Sequence, residues 1–200
     1  MTEATNPTFK NQTEGVKTLL GEPKKAVIKL AVPMILAMLI QTIYNLADAL
    51  WVSGLGANEL AAVGFVFPFF MMIMALGTGI GLGSGSAISR KIGAQDKTGA
   101  DNVAAHSMIL LLIIYVIFSI PTFLFAEPLF KALGTGEVLN LTISYAQVIF
   151  IGSLFIFFSN IANAILRGEG DAKRAMYALA FGSALNIILD PIFIYTLDMG

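Results

Sequence analysis

Five apolar runs, nearly free of charge, alternate with short segments that gather almost all of the ionisable residues. The runs extend over roughly Leu30 to Val52, Leu60 to Ile88, Asn102 to Ala126, Val138 to Leu166 and Ala175 to Leu197. Each supplies the ~20 helical residues that a bilayer's hydrocarbon core requires. The pattern therefore predicts five spanning helices and an all-α integral membrane protein. A buried soluble core could imitate one such run, but not several in succession joined by short charged turns.

Composition agrees. Only 12% of the 200 residues are charged, the mean hydropathy is +0.80, and ordinary soluble domains carry roughly 25% charge. Residues 1–26 are polar and mixed in charge, with no apolar core leading to a small-residue cleavage site, so they read as a cytoplasmic arm rather than a signal peptide. Residues 27–200 form the membrane part. The absence of cysteine excludes disulfides, thiolate metal sites and a cysteine nucleophile. No cofactor and no nucleic-acid partner is expected; the lipid bilayer is.

Basic residues set the orientation. Lys10, Lys17, Lys24, Lys25 and Lys29 precede or open the first span, Arg90, Lys91 and Lys97 follow the second, and Arg167, Lys173 and Arg174 follow the fourth. Lys131 alone falls on the other side. The positive-inside rule then places the amino terminus and both basic loops in the cytoplasm of a multi-pass cell-membrane protein. An odd number of spans, ending at Asp198-Met199-Gly200 without a polar tail, is the pattern of a chain cut in the turn before a sixth helix.

Within the spans, Pro33, Pro68, Pro121 and Pro191 each remove a backbone donor, and kinks are expected there. The run Gly77-Thr78-Gly79-Ile80-Gly81-Leu82-Gly83-Ser84-Gly85 repeats small-xxx-small spacing at Gly77/Gly81, Gly79/Gly83 and Gly81/Gly85, which suits close helix packing. No G-x-G-x-x-G register fits it, and an apolar span offers no strand-turn-helix, so a phosphate loop is excluded.

Two acids carry the candidate chemistry. Asp48 and Asp190 lie inside apolar spans, where an acidic side chain costs about 2.5–3.5 kcal/mol on insertion scales. Each stands in a polar stripe on one helical face: Gln41, Asn45 and Asp48 in the first span, Ser183, Asn186 and Asp190 in the fifth. At 1.5 Å per residue both acids lie roughly 10 Å from the outer ends of their helices, so one level could hold both. Two carboxylates and an amide oxygen are hard ligands, and repulsion disfavours both acids being charged together, so sodium or a proton suits the cavity. Gln41, Asn45 and Ser183 could line it, with Tyr44.

Against this stands plain helix adhesion, but interhelical polar bonds contribute only about 0.6–2 kcal/mol, which hardly offsets two buried acids. Gln147, Asn160 and Asn163 in the fourth span are read as structural, and Tyr44, Tyr145, Tyr177 and Tyr195 as pocket walls or interfacial anchors. His106, without a second histidine, is read as a surface residue.

Several segments together resemble one family. Gly21-Glu22-Pro23 through Pro33, Tyr44-Asn45-Leu46-Ala47-Asp48, Gly54-Leu55-Gly56, Ile88-Ser89-Arg90-Lys91-Ile92-Gly93-Ala94-Gln95-Asp96 and Leu166-Arg167-Gly168-Glu169-Gly170-Asp171 are similar, in order and spacing, to the opening lobe of multidrug and toxic compound extrusion (MATE) transporters. The run Asn186-Ile187-Ile188-Leu189-Asp190-Pro191 points to the prokaryotic branch.

The resemblance implies twelve helices in two six-helix lobes around a cleft, with this chain supplying most of the first lobe and a carboxy-terminal lobe as its partner. It implies export of bulky, often cationic compounds against sodium or protons, with Asp48, Asn186 and Asp190 as the cation site; the mechanism expected is alternating access, cation binding bending or repacking helices one and five near Pro191.

Two other readings compete. A lipid or lipid-linked oligosaccharide flippase of the same superfamily would favour basic cavity residues, whereas these spans hold only acids. An intramembrane aspartyl protease would need Tyr-Asp and Gly-x-Gly-Asp, but the acids here sit in Leu46-Ala47-Asp48 and Ile188-Leu189-Asp190.

Overall fold

A computed structural model describes residues 13–52, 54 and 56–196, without the side chains of Ala49, Val52 and Tyr195. Helices cover Glu14–Leu19 (α1), Pro23–Val52 (α2), Ala57–Gly93 (α3), Lys97–Ile114 (α4), Ile120–Leu124 (α5), Ala126–Ala132 (α6), Leu139–Gly168 (α7) and Ala172–Pro191 (α8), and no strand occurs among the described residues. Five stretches are long and apolar enough to cross a membrane: Pro23–Asp48, Ala57–Gly93, Lys97–Leu124, Gly136–Gly168 and Ala172–Ile194. The expected spans are all present. The arm up to residue 12 with Lys10, Leu55 of the Gly54-Leu55-Gly56 run and the end at Asp198-Met199-Gly200 lie outside the described residues.

Several helices begin well before the apolar runs do, and local chemistry explains why. Pro23 opens α2, where a missing N–H is harmless. Asp96 and Asp171 cap α4 and α8, accepting hydrogen bonds from the backbone N–H of Gly99 at 2.8 Å and of Arg174 at 3.1 Å.

The two capping loops are built alike. In each, the preceding helix closes with a pair of crossed backbone bonds: Asp96 N–H to Lys91 O and Gln95 N–H to Ile92 O in one, Asp171 N–H to Leu166 O and Gly170 N–H to Arg167 O in the other. The turn needs a left-handed residue, supplied by Gln95 (φ 58°) and Gly170 (φ 80°).

The helices sort into a dense trio and a lighter pair. The trio is α3, α4 and α7. Its core includes Val66, Ile73, Phe150, Phe157 and Ile161, all fully buried, and Phe130 of α6, on which Phe69 packs edge-on at 5.5 Å. Lipid offers no hydrophobic force between helices, so close contact holds this seam. Cβ atoms built on Gly77 and Gly81 would stand 3.2 Å from Phe157 and 3.0 Å from Ala164.

Gly79 and Gly83, by contrast, face open space. Two residues turn a helix by about 200°, so of the three spaced pairs only Gly77/Gly81 and Gly81/Gly85 serve the α3–α7 contact. Hydroxyl pairs join α4 and its continuation to the other two: Ser107 Oγ lies 2.6 Å from Ser84 Oγ, and Ser119 Oγ 2.6 Å from Ser153 Oγ.

The prolines act differently from one another. α2 and α3 continue through Pro33 and Pro68, whereas Pro121 follows a π-helical turn at Tyr115–Ser119 and Pro191 precedes one at Ile192–Thr196. Thr122 Oγ1 donates to Phe118 O at 2.7 Å, satisfying a carbonyl beside the first of these irregular turns.

The pair is α2 and α8, packed along each other and only lightly on the trio. Among the described residues, Pro33 is buried in α2, and Ala172, Ala175 and Ser183 in α8. Short α1 lies across the end that carries the basic loops, with Val16 packed among Ile88, Ile92 and Ala100. Its Gly15 sits directly on the backbone of Glu169–Asp171.

Candidate functional site

Both intramembrane acids belong to the lighter pair, Asp48 on α2 and Asp190 on α8. Packing of α2 along α8 brings the polar stripes together: Asp48 acts electrostatically on Asp190, and Tyr44 feels both carboxylates. Tyr145 of α7 also lies within electrostatic reach of Asp48. The four groups therefore share one electrostatic neighbourhood.

The oxygens there lack partners. Asn186 Oδ1 and Asp190 Oδ2 are buried without a hydrogen bond among the described residues. A buried acceptor left unmatched costs about 1–3 kcal/mol, and both atoms call for positive charge or a proton. Ser183, one turn away, is buried as well. Gln41 and Asn45 are paired with each other through a long 3.4 Å contact, and Asn45 is exposed.

Among the described residues no three His, Cys, Asp or Glu side chains converge to hold a metal ion. The donor set is two carboxylates and an amide oxygen, which are hard ligands suited to an alkali cation or a proton.

Sequence reasoning left Tyr145 undecided between wall and anchor, and the structure leaves it 39% exposed within electrostatic reach of Asp48. Tyr177 is instead 63% exposed on α8. Asn160 and Asn163 bond the carbonyls of Ile156 and Ser159 in their own helix, in keeping with a structural reading. His106 is exposed, its Nδ1 2.7 Å from Asn102 O.

Comparison with known proteins places the chain in a family. A family model described as MatE matches residues 33–192. The chain belongs to the MatE family. The match runs from Pro33 of α2 past Pro191 of α8, and so includes both acids.

Among curated MatE relatives, the chain is 29% identical over 182 residues to "Probable multidrug resistance protein YpnP" of Bacillus subtilis (strain 168), covering 90% of this chain and 41% of that one. A crystal structure of "MATE in complex with MaD3S" superposes with a TM-score of 0.91 at 56% identity, over 94% of this chain and 43% of that one. A solved structure described as "Reverse polarity of binding pocket suggests different function of a MOP superfamily transporter from Pyrococcus furiosus Vc1 (DSM3638)" superposes with a TM-score of 0.87 at 56% identity, over 93% of this chain and 41% of that one. The chain thus spans about two-fifths of the length of these MatE relatives.

Proposed function

We propose that the protein is a secondary active antiporter, exporting organic cations or drugs in exchange for sodium or protons, with Asp48, Asn186 and Asp190 as its cation site. The carrying observation is the pair of buried, unpartnered oxygens, Asn186 Oδ1 and Asp190 Oδ2, within electrostatic reach of Asp48. A cation or proton satisfies them, and the acidic character of the spans favours positively charged cargo over an anionic lipid-linked one. The family relation and the multidrug relative support transport over catalysis. The amino terminus and basic loops lie in the cytoplasm in this reading, and a second lobe completes the cleft.

Coupling follows from where the acids sit. Both lie on the pair that is lightly attached to the trio. Filling the site draws α2 and α8 together at that level and shifts the pair against the trio, weakening the hold on cargo. By linkage, cargo weakens the hold on the ion equally.

The test is efflux of a fluorescent organic cation from cells making the protein, with sodium and proton gradients imposed separately. Export should follow one gradient and disappear in Asp190→Asn. No efflux under either gradient would move the assignment to a lipid-linked cargo.

A further inference from the structure

A groove of about 670 Å³ runs between α3 and α4 toward the end of the bundle that holds the basic loops. It lies on the trio, away from the polar stripes of α2 and α8. Gly83 and Gly99 leave it room, and nothing stands within 4 Å of a Cβ built on Gly83.

Its polarity changes along its length. Ile80 and Leu110 line the part deepest in the spans, while Lys91, Asn102 and His106 line the end beside the loops. Ser84 and Ser107 sit between, but Ser84 donates to Ile80 O at 2.7 Å and the two hydroxyls bond each other, so the wall there makes no further polar demand. Outside it, Leu82, Ile109 and Ile113 are exposed as hydrocarbon-facing residues would be.

The loop end has donors to spare. Lys91 Nζ bonds Asp96 Oδ2 at 2.8 Å and keeps two further N–H groups. The Asn102 carbonyl can only accept, so His106 Nδ1 carries the proton of their bond and Nε2 of the neutral ring is an acceptor; the donors facing the groove are Lys91 Nζ and the Asn102 side-chain amide.

A lysine, ion-paired with Asp96 but keeping two N–H groups, at one end of an apolar groove aligned with the spans suits an amphiphile with an acceptor head and a hydrocarbon tail. We propose that the groove seats a phospholipid of the leaflet beside the basic loops, its phosphate between Lys91 and the Asn102 side-chain amide and an acyl chain along Ile80 and Leu110. Basic pockets between spanning helices are the usual seats of anionic headgroups. This site is separate from the cation site and stands without the antiporter reading.

The test is native mass spectrometry of the purified protein released from phosphatidylcholine nanodiscs doped with phosphatidylglycerol. The wild type should retain one phosphatidylglycerol. Lys91→Gln should weaken retention about fivefold, the worth of one cation near a membrane surface. Gly83→Leu should fill the groove and abolish retention with the melting temperature unchanged. No retained lipid in the wild type, or equal retention in both variants, overturns the proposal. So does a cysteine at position 83 that cross-links to another part of the protein, which would show that protein and not lipid covers the groove.

Discussion

A Cβ on Gly168 would lie 2.8 Å from the Cα of Gly85, so the two glycines meet backbone to backbone. Ser89 Oγ donates to the Gly168 carbonyl at 2.8 Å and locks the same end of the α3–α7 seam. This seam is the most closely packed in the molecule, and it defines what the trio can tolerate.

Gly81→Val and Gly83→Val place the same side chain on the same helix, facing opposite ways. The first forces α3 from Ala164, and overpacking of this kind costs about 1–3 kcal/mol. The second enters open space. Thermal unfolding in detergent should show a lower melting temperature for Gly81→Val alone; equal losses would mean that the seam is not what holds the trio.

The matched loops respond unequally to exchange. Gln95 pays for a left-handed backbone that glycine adopts freely, so Gln95→Gly should raise stability by up to about 1 kcal/mol. Gly170→Gln should do harm, because its Cβ would overlap Gly15 O and stand 2.8 Å from Leu19 Cγ, displacing α1. Trypsin cutting at Lys17 reports that release, and should speed up only in the Gly170 variant.

Glu169, in the loop under α1, carries a pH signature. Burial, and then the nearby Asp101 and Asp171, push its carboxyl above the ordinary value of 4.5. A raised carboxyl is easier to keep neutral in the folded chain. Its stabilising contribution is therefore complete below the ordinary value and lost as pH rises through the raised one. Melting temperature measured across that window should fall more steeply with pH in the wild type than in Glu169→Gln, and parallel curves would refute the assignment.

Under the proposed antiport, Asp48→Asn and Asp190→Asn in the complete protein should each impair coupled export, while membrane insertion is kept because removing an intramembrane charge eases it. Surface expression and gradient-driven efflux, measured side by side, separate the two effects. Unchanged export in both variants would remove the ion site.

The spans were legible because length and apolarity alone decide them, and Asp48 and Asp190 because an acid in hydrocarbon needs a reason. Other features were hidden for definite causes. Glycine spacing repeats on two faces of α3, so it could not say that Gly77, Gly81 and Gly85 meet α7 while Gly79 and Gly83 do not. An aromatic residue serves equally as wall or anchor, which concealed Tyr145. The six residues of α1 are too few for a helical period, and its contact between Gly15 and Gly170 joins segments far apart in the chain.

The pairing of α2 with α8 also has a consequence during synthesis. Asp48 is made long before Asp190, with the whole trio translated between them. At about 5–20 residues per second, the first helix waits on the order of ten seconds in the translocation machinery or the lipid before its companion emerges. The trio can assemble in that interval, while the polar stripe of α2 waits without its α8 partner.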